Sequence, residues 1–367
     1  MQPGSEKSTS IPGNLTKPEM FNACGPFQRV LPGTKFSNIF NSLKNGEHLC
    51  LEGTFGFALT FYSWLKKQNQ LKIPVKDYQS SRKNLDQFRS LTSNLMVRIH
   101  DHKATLEKAP EIPWLKDFYP EKKEFLIRFS DFLGMNGAWQ WFSKGIKFPV
   151  LDQKVHPFYG VYFPTRHEHL LLFDNWLAKN TGFSKALDIG TGCGVLALMM
   201  LKHGIPFVHA TDINPNAVYS ATLEFEKRGL QSKTLIEQAP FTGSYEAGGR
   251  DLIVFNPPWI PAQVATELDQ ATYYEPGFFD QFFAQVQKIM NPETTLAILF
   301  SDFAKVAGIT NEHPIENEIQ NKSRFVLTQK LQVPVRQKPS VRKNWLAEIR
   351  QHESVELWML KVGELGT

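Results

Sequence analysis

The sequence predicts an α/β fold in the second half of the chain, with a mostly parallel sheet that carries helices on both faces. From residue 186 onward, short runs rich in Val, Ile, Leu and Phe alternate with segments of helical periodicity. Continuous apolar strands of this kind are typical of a parallel sheet buried on both faces. A glycine-rich turn follows the first of these strands, where doubly wound folds bind their ligands.

The predicted elements of this half follow one another in regular order. Strands are predicted at 186–189, 207–211, 234–236, 251–255, 295–300, 324–335 and 354–362. Helices are predicted at 169–177, 194–202, 215–228 and 278–290. The two last strands are the longest, and a strand–helix alternation precedes them.

The first half of the chain has a different pattern. Residues 1–20 are rich in Ser, Pro, Gly, Thr and Lys, which predicts a mobile tail. Residues 21–143 predict a mainly helical domain for substrate or partner recognition, and residues 144–168 predict a connecting hairpin. The apolar stripes behind the helical prediction are Phe36, Ile39, Phe40 and Leu43, then Leu85, Phe88, Leu91 and Leu95, then Phe125, Ile127, Phe129 and Phe132.

The composition is that of a folded chain long enough for two packed domains. Its 367 residues are 42% hydrophobic and 21% charged, without a bias toward disorder. The formal net charge of +5 permits an acidic partner such as nucleic acid but does not require one. Three cysteines argue against a disulfide framework, and no apolar run reaches the ~20 residues of a membrane helix. We therefore expect a soluble, cytoplasmic protein, and the scattered histidines predict no metal site.

The first motif is a glycine-rich turn. Residues 188–194 read DIGTGCG, where the first predicted strand of the sheet ends and a helix begins. Gly190, Gly192 and Gly194 let the backbone turn tightly and approach a ligand at the N-terminus of a helix. A nicotinamide-binding fingerprint would place glycine at position 195, which is valine here.

The second motif is a carboxylate at the end of the next strand. Asp212 follows the predicted strand 207–211, in the place where doubly wound folds present a carboxylate to ribose hydroxyls. A carboxylate suits two hydroxyl donors because it offers about four acceptor sites. Asp212 is equally compatible with capping the helix that begins at Pro215, and its position alone leaves both interpretations open.

The third motif is the most specific. Residues 256–259 read NPPW and close the predicted strand 251–255. Two successive prolines give a rigid turn without backbone donors, so the carbonyl oxygens of Asn256 and Pro257 are free acceptors. The Asn256 side chain adds another acceptor and Trp259 a flat apolar surface, a set that suits a planar NH2 group. The alternative is a simple turn.

In this order, the three motifs resemble those of the class I S-adenosylmethionine-dependent methyltransferases. The NPPW residues are similar to the Asn/Asp-Pro-Pro-aromatic signature of enzymes that methylate amide or exocyclic amine nitrogens. Within that group the sequence looks most like the release-factor glutamine methyltransferases, whose helical N-terminal domain, hairpin and Pro-Arg element resemble residues 148–166. The resemblance covers about residues 144–365.

The resemblance implies a fold, a cofactor and a role for each motif. The fold is a seven-stranded, mostly parallel Rossmann-like sheet with an antiparallel C-terminal hairpin, over residues 169–367. The cofactor is S-adenosylmethionine, with its ribose at Asp212 and its amino-acid end at the glycine loop. The residues implied to hold the cofactor are Asp188, Gly190, Gly192, Gly194, Asp212 and Asn256. The residues implied to orient the target nitrogen and act in catalysis are Asn256, Pro257 and Trp259, with Pro258 also contacting the substrate.

Three positions depart from the family pattern. An acidic residue often follows the third strand and contacts adenine, whereas residues 237–240 read EQAP here. Either Glu237 or Gln238 is the replacement. A threonine separates proline and arginine in the Pro-Arg element, and Trp259 replaces the usual tyrosine.

Three functions are compatible with these observations. The first is methylation of a glutamine in a protein, such as a translation factor. The second is methylation of a base amine in RNA or DNA, to which a basic C-terminal segment could contribute. That segment contains Arg324, Lys330, Arg336, Lys338, Arg342 and Lys343. The third is a cofactor-binding module without activity, which the intact glycines, Asp212 and Asn256 argue against. The oligomeric state is not predicted by any pattern.

Overall fold

The structure is a computed structural model, which describes residues 11–265, 267–336 and 345–363. The chain divides into two compact units, Met1–Gln140 and Trp141–Thr367. Within the described residues, no helix is both long and apolar enough to cross a membrane.

The N-terminal unit combines helices with a small sheet. Its elements are β1 (Gln28–Val30), α1 (Phe36–Lys44), β2 (Leu49–Leu51), α2 (Phe55–Lys72), α3 (Tyr78–Thr92), β3 (Leu95–His100), β4 (Lys103–Ala104), α4 (Trp114–Phe118), β5 (Glu124–Arg128) and most of α5 (Phe129–Lys144), whose last residues belong to the second unit. The strands form one five-stranded sheet, in which β3 pairs with β2, β4 and β5.

The helical prediction for this unit is confirmed, but the sheet was not predicted. Leu95 begins β3, and Phe125 and Ile127 lie in β5, although all three were assigned to helical stripes. A buried strand of five or six residues has the same apolar content as one face of a helix, so periodicity alone does not separate them. The spacing of two between Phe125 and Ile127 is the signal that favours a strand.

Part of the predicted mobile tail is packed in the structure. Leu15 is buried, Lys17 donates a hydrogen bond to the carbonyl oxygen of Phe118 at 2.8 Å, and the Tyr119 hydroxyl donates to the carbonyl oxygen of Pro18. The tail prediction is therefore wrong for residues 11–20, and residues 1–10 lie outside the described residues.

The predicted connecting hairpin is reduced to one bridge. Ile146 and Val155 exchange backbone hydrogen bonds of 2.7 and 2.9 Å, and no strand is present between residues 145 and 167. Pro149, Pro157 and Pro164 interrupt this region. Because proline lacks a backbone donor, a continuous ladder cannot form there.

The C-terminal unit is built around a seven-stranded sheet. Its helices are α6 (Glu168–Leu177), α7 (Val195–Lys202), α8 (Pro215–Lys227), α9 (Glu267–Gln270), α10 (Phe278–Ile289), α11 (Phe303–Val306), α12 (Pro314–Asn317) and α13 (Trp345–Arg350). Its strands are β6 (Ala186–Ile189), β7 (Val208–Asp212), β8 (Thr234–Gln238), β9 (Leu252–Phe255), β10 (Ile260–Pro261), β11 (Tyr273–Tyr274), β12 (Thr295–Ser301), β13 (Phe325–Pro334) and β14 (Ser354–Val362).

The strand order confirms the predicted sheet. The order is β13-β14-β12-β9-β6-β7-β8. The five strands from β12 to β8 are parallel, and β14 and β13 add an antiparallel hairpin at the edge. Every residue of β6 and β9 is buried, as expected for the centre of a sheet covered on both faces.

Candidate active site

The sheet brings the three motifs to one edge. β6 lies between β9 and β7, and Ile189 pairs with both Phe255 and Thr211. The residues that follow these three are Gly190, Asn256 and Asp212, and they therefore lie at the same level. Asp212 is the last residue of β7 and still pairs with Gln238 of β8, whereas Gly190 and Asn256 lie just beyond β6 and β9. Ligands of open α/β sheets bind at the carboxyl ends of such strands.

A cavity of about 390 Å³ occupies this edge, within the size range of small-molecule sites. Its lining includes Tyr162, Pro164, Gly190, Gly192, Cys193, Asp212, Ile213, Phe241, Phe255, Asn256, Pro258 and Phe278. Of the residues predicted from the sequence to hold the cofactor, Gly190, Gly192, Asp212 and Asn256 line the cavity, whereas Asp188 and Gly194 do not.

The glycine loop needs its glycines for conformational reasons. Gly190, Gly192 and Gly194 have φ angles of 63°, 53° and 81°, in the left-handed region that other residues avoid. Gly194 is the N-cap of α7, and it does not line the cavity. Its conformation turns the chain from β6 into the helix.

Asp212 connects the loop to the following helix. One carboxylate oxygen accepts the Gly192 N–H at 2.9 Å, and the other accepts the Asn214 N–H at 2.9 Å. Asn214 is itself the N-cap of α8, accepting the Asn216 N–H. Asp212 is therefore not the N-cap of α8. Its carboxylate fixes the glycine loop and still offers unused acceptor sites to the cavity. Burial raises the pKa of Asp212.

Asp188 is a support of the loop and not a part of the cavity wall. Its side chain is fully buried, and one carboxylate oxygen accepts the Thr191 hydroxyl at 2.7 Å and the Ala197 N–H at 3.1 Å. The other oxygen has no hydrogen-bond partner among the described residues. Burial raises the pKa of Asp188 to about 7. The resemblance implied that Asp188 contacts the cofactor directly. The position of Asp188 outside the cavity lining does not support that contact.

Asn256 presents an unpaired acceptor. The residue lines the cavity, and its side-chain oxygen is buried without a hydrogen-bond partner in the described part of the chain. Buried polar atoms are paired in the great majority of cases, so each exception needs an explanation. A ligand that donates a hydrogen bond to the Asn256 side-chain oxygen is such an explanation.

The stacking surface predicted at Trp259 lies elsewhere. Neither Pro257 nor Trp259 lines the cavity, although Pro258 does. The Trp259 indole packs edge-to-face on the His169 ring, with centroids 5.5 Å apart, and against the apolar cluster of the sheet. The prediction that Trp259 forms a wall for the target nitrogen is therefore not supported by the structure. The chain turns at the two prolines in a way that carries residue 259 away from the cavity.

The wall after the third strand is apolar. Glu237 accepts hydrogen bonds from the backbone and hydroxyl of Ser244 and contacts His209 at 2.9 Å, while Gln238 donates to the carbonyl oxygen of Ile213. Neither lines the cavity, so neither replaces the family's acidic residue. Ala239, Pro240 and Phe241 form this wall instead, beside Ile213, which follows β7.

The aromatic lining was missed by sequence reasoning. Tyr162, Phe255 and Phe278 line the cavity but lie outside the three motifs. Phe255 had a signal, because it directly precedes NPPW at the end of a strand. Tyr162 and Phe278 had none, because they come from a loop and a helix that reach the cavity only in the folded chain.

The surroundings of Cys193 and of the described histidines do not indicate a chemical role. Burial raises the pKa of Cys193 to about 12, so its thiol stays protonated and is a poor nucleophile. Within the described residues, no group of three or more His, Cys, Asp or Glu side chains is arranged to hold a metal ion.

The cavity fits the cofactor that the motifs imply. Asp212 offers acceptors for two hydroxyl groups, and Ile213 and Phe241 offer an apolar surface for a flat ring. The strand order, the glycine loop and Asp212 give the C-terminal unit the fold and motif order expected of a class I S-adenosylmethionine-dependent methyltransferase domain. Residues 169–329 match, more narrowly, the family described as the methyltransferase small domain.

Curated relatives are similar to part of the chain. One is a release factor glutamine methyltransferase of Moorella thermoacetica, 36% identical over 24% of this chain and 32% of the relative. Another is a ribosomal protein uL3 glutamine methyltransferase of Bordetella pertussis, 29% identical over 28% of this chain and 35% of the relative. A third is a ribosomal protein L11 methyltransferase of Leptospira interrogans, 32% identical over 24% and 29%. The chain thus spans about a third of the length of these relatives.

Proposed function

We propose that the chain is an S-adenosylmethionine-dependent N-methyltransferase whose acceptor is a planar amide nitrogen, the side chain of a glutamine in a protein. The observation that carries the proposal is the buried, unpaired side-chain oxygen of Asn256 in the cavity. Leaving such an acceptor unpaired costs about 1–3 kcal/mol. Its presence beside the glycine loop favours a ligand with an N–H donor at that point.

The residues of the cavity divide the work of binding and orientation. When bound, S-adenosylmethionine supplies an electrophilic methyl group. Asp212 would accept hydrogen bonds from ribose hydroxyls, and Ile213 and Phe241 would pack against the adenine. Asn256 would accept a hydrogen bond from the target NH2 group and hold its nitrogen in position for attack. Positioning of this kind contributes up to ~7–11 kcal/mol in favourable cases.

Asn256 would also contribute electrostatically. An amide nitrogen becomes more positive as it forms a new bond to carbon, and its N–H groups become stronger donors. An acceptor already fixed in a buried site stabilises that charge more in the transition state than in the ground state. A strong general base is not required before the attack.

Two observations favour a protein acceptor over a nucleic acid. Two of the relatives described above carry names that specify glutamine methylation. In addition, two of the three described cations of the basic C-terminal segment are paired with carboxylates, whereas Arg336 is exposed. Arg324 forms two hydrogen bonds of 2.6 Å with Glu318, and Lys330 contacts Glu356 at 2.8 Å. Lys338, Arg342 and Lys343 lie outside the described residues.

Replacement of Asn256 tests the proposed site. Asn256→Ala should lower kcat by about 10²–10³-fold, the usual effect of removing one preorganised transition-state contact. The Kd for S-adenosylmethionine, measured by calorimetry, should change by less than about threefold. Asn180→Ala is a matched control, because the Asn180 side chain donates to the Trp176 carbonyl oxygen in α6 and does not line the cavity. Near-normal turnover of Asn256→Ala would remove the basis of the proposal.

The class of acceptor is tested with cell extract. The protein is incubated with extract and S-adenosylmethionine labelled on the methyl group, and the product is treated with protease or ribonuclease. We expect the label to become soluble after protease treatment and to be found as methylglutamine after enzymatic digestion. Release of the label by ribonuclease alone would contradict the glutamine assignment and support base methylation.

A further inference from the structure

A second cleft lies beside the cofactor cavity. Its volume is about 540 Å³, and Phe278 at the start of α10 lines both spaces. The chain that leaves the cavity at Asn256 and Pro258 reaches the cleft at Pro261. A molecule bound in this cleft would therefore adjoin the cavity in which we assign the target nitrogen to the Asn256 side-chain oxygen. We call this space the acidic cleft, because Glu275, Asp280, Glu312 and Glu318 are its lining carboxylates.

Two of these carboxylates are neutralised and two are not. Asp280 pairs with Lys322, and Glu318 pairs with Arg324 at 2.6 Å. Glu275 and Glu312 have no salt bridge among the described residues, and both are exposed. Glu275 accepts one backbone N–H, from Val264, at 3.2 Å. The cleft is therefore negative, although the whole chain has a formal charge of +5.

Aromatic rings accompany the unpaired carboxylates. Tyr274, Phe278 and Phe279 line the cleft, and the Tyr274 and Phe279 rings meet edge-to-face at 4.9 Å. Burial, with a smaller contribution from Glu312, raises the pKa of Tyr274 to about 12, so its phenol stays neutral. Aromatic faces next to carboxylates bind guanidinium and ammonium groups, through cation–π attraction and ion pairing.

We propose that the acidic cleft binds arginine or lysine side chains of a polypeptide segment next to the methyl-accepting residue. The inference rests on the proposed function for the location of the acceptor, and it adds the chemical character of the substrate. The occupant follows from charge complementarity and from continuity with the cofactor cavity. A nucleic acid would bring phosphates toward Glu275 and Glu312, which would repel it.

Direct binding tests the cleft independently of turnover. The full chain, with S-adenosylhomocysteine present, is titrated into three short fluorescein-labelled peptides with a central glutamine flanked by Arg, Ser or Glu. Anisotropy should give the order of affinity Arg, Ser, Glu, with the Arg peptide at least about threefold tighter than the Ser peptide, since each exposed ion pair contributes up to ~1 kcal/mol. Raising the salt concentration should reduce the difference because it screens these charges.

Charge-neutral substitutions assign the effect to the cleft. The double variant Glu275→Gln/Glu312→Gln keeps the size of both side chains and should weaken binding of the Arg peptide by about three- to tenfold. It should leave binding of the Ser peptide and of S-adenosylmethionine unchanged. Glu226→Gln/Glu246→Gln is the matched control, because both residues are exposed and line neither space.

The outcomes separate this inference from the proposed function. Equal affinity for the three peptides, or Arg-peptide binding unaffected by the cleft variant, would overturn the cleft assignment even if the extract shows a labelled glutamine. The cleft assignment would also be overturned if a single-stranded RNA bound tightly and the cleft variant bound that RNA more tightly still. Loss of Arg-peptide binding in the cleft variant supports the cleft, and it does so even if Asn256→Ala retains turnover and the proposed function fails.

Discussion

Asp212 holds two parts of the site together through one side chain. Its oxygens accept the N–H groups of Gly192 and Asn214, so the glycine loop and the start of α8 share a single anchor. Asp212→Asn would turn one acceptor into a donor that faces another donor. We expect the Kd for S-adenosylmethionine to rise by about 10- to 100-fold, since a hydrogen bond to a charged group contributes about 1.5–3 kcal/mol.

Isothermal titration calorimetry measures this effect. Glu226→Gln in α8 is the control. A Kd within about twofold of the parent chain would show that the carboxylate does not contact the cofactor. Because burial raises the pKa of Asp212, its protonation should weaken cofactor binding at a higher pH than an ordinary aspartate would.

Asp188 should make stability depend on pH. Its pKa is raised to about 7 in the folded chain, whereas an unfolded aspartate titrates near ~3.9. The folded state therefore binds the proton more tightly. This proton binding stabilises the folded state. The stabilisation is fully present below the pKa of the unfolded chain and is lost as the pH rises from about 4 through about 7.

Asp188→Asn removes this titration and keeps an oxygen for the Thr191 hydroxyl and the Ala197 N–H. The variant should gain stability relative to the parent chain as the pH rises from about 5 to about 8, by an amount on the order of 1–3 kcal/mol. Urea unfolding at several pH values measures the difference. A difference that is constant across this range would mean that Asp188 is charged throughout.

At the level of elements, two glycines that flank α7 have the same backbone conformation but different surroundings. Gly194 precedes the helix with φ 81° and Gly204 follows it with φ 85°. A Cβ added at Gly194 would lie 3.1 Å from the Phe225 ring, whereas a Cβ at Gly204 would meet nothing within 4 Å. The two positions therefore separate backbone strain from steric conflict.

Gly204→Ala should reduce the free energy of unfolding by about 1 kcal/mol, the cost of the left-handed conformation. Gly194→Ala should reduce it by about 2–4 kcal/mol, because overpacking against Phe225 adds to that strain. Only Gly194→Ala should weaken cofactor binding, since it displaces the loop. Chemical denaturation and calorimetry check both statements, and equal effects of the two substitutions would contradict them.

The elements of the two units were not equally predictable. The strands of the large sheet were predicted almost to their ends, because β6, β7 and β9 are apolar runs bounded by glycine, aspartate and proline. The sheet of the N-terminal unit was missed, because β3 and β5 have the apolar content of one face of a helix and β1 and β2 have only three residues each. A strand that short is defined by its hydrogen-bond partner and not by its own sequence.

At the level of the whole molecule, the lining of the cofactor cavity comes entirely from one unit, between Tyr162 and Gln281. A fragment of residues 141–367 should therefore bind S-adenosylmethionine within about threefold of the full chain. Calorimetry measures the affinity, and circular dichroism establishes that the fragment is folded. A folded fragment that does not bind the cofactor would show that the N-terminal unit is needed for the site.

The sequence by itself determined the parallel sheet and the positions of Gly190, Asp212 and Asn256 at its edge. These follow from local rules, because apolar runs form strands and parallel strands end at the same edge. Only the tertiary structure decided which neighbouring side chains face the cavity. It turned Trp259 away, placed Asp188 beneath the loop, and brought Phe278 between the cavity and the acidic cleft. The orientation of a side chain depends on the packing of distant segments, which no local pattern encodes.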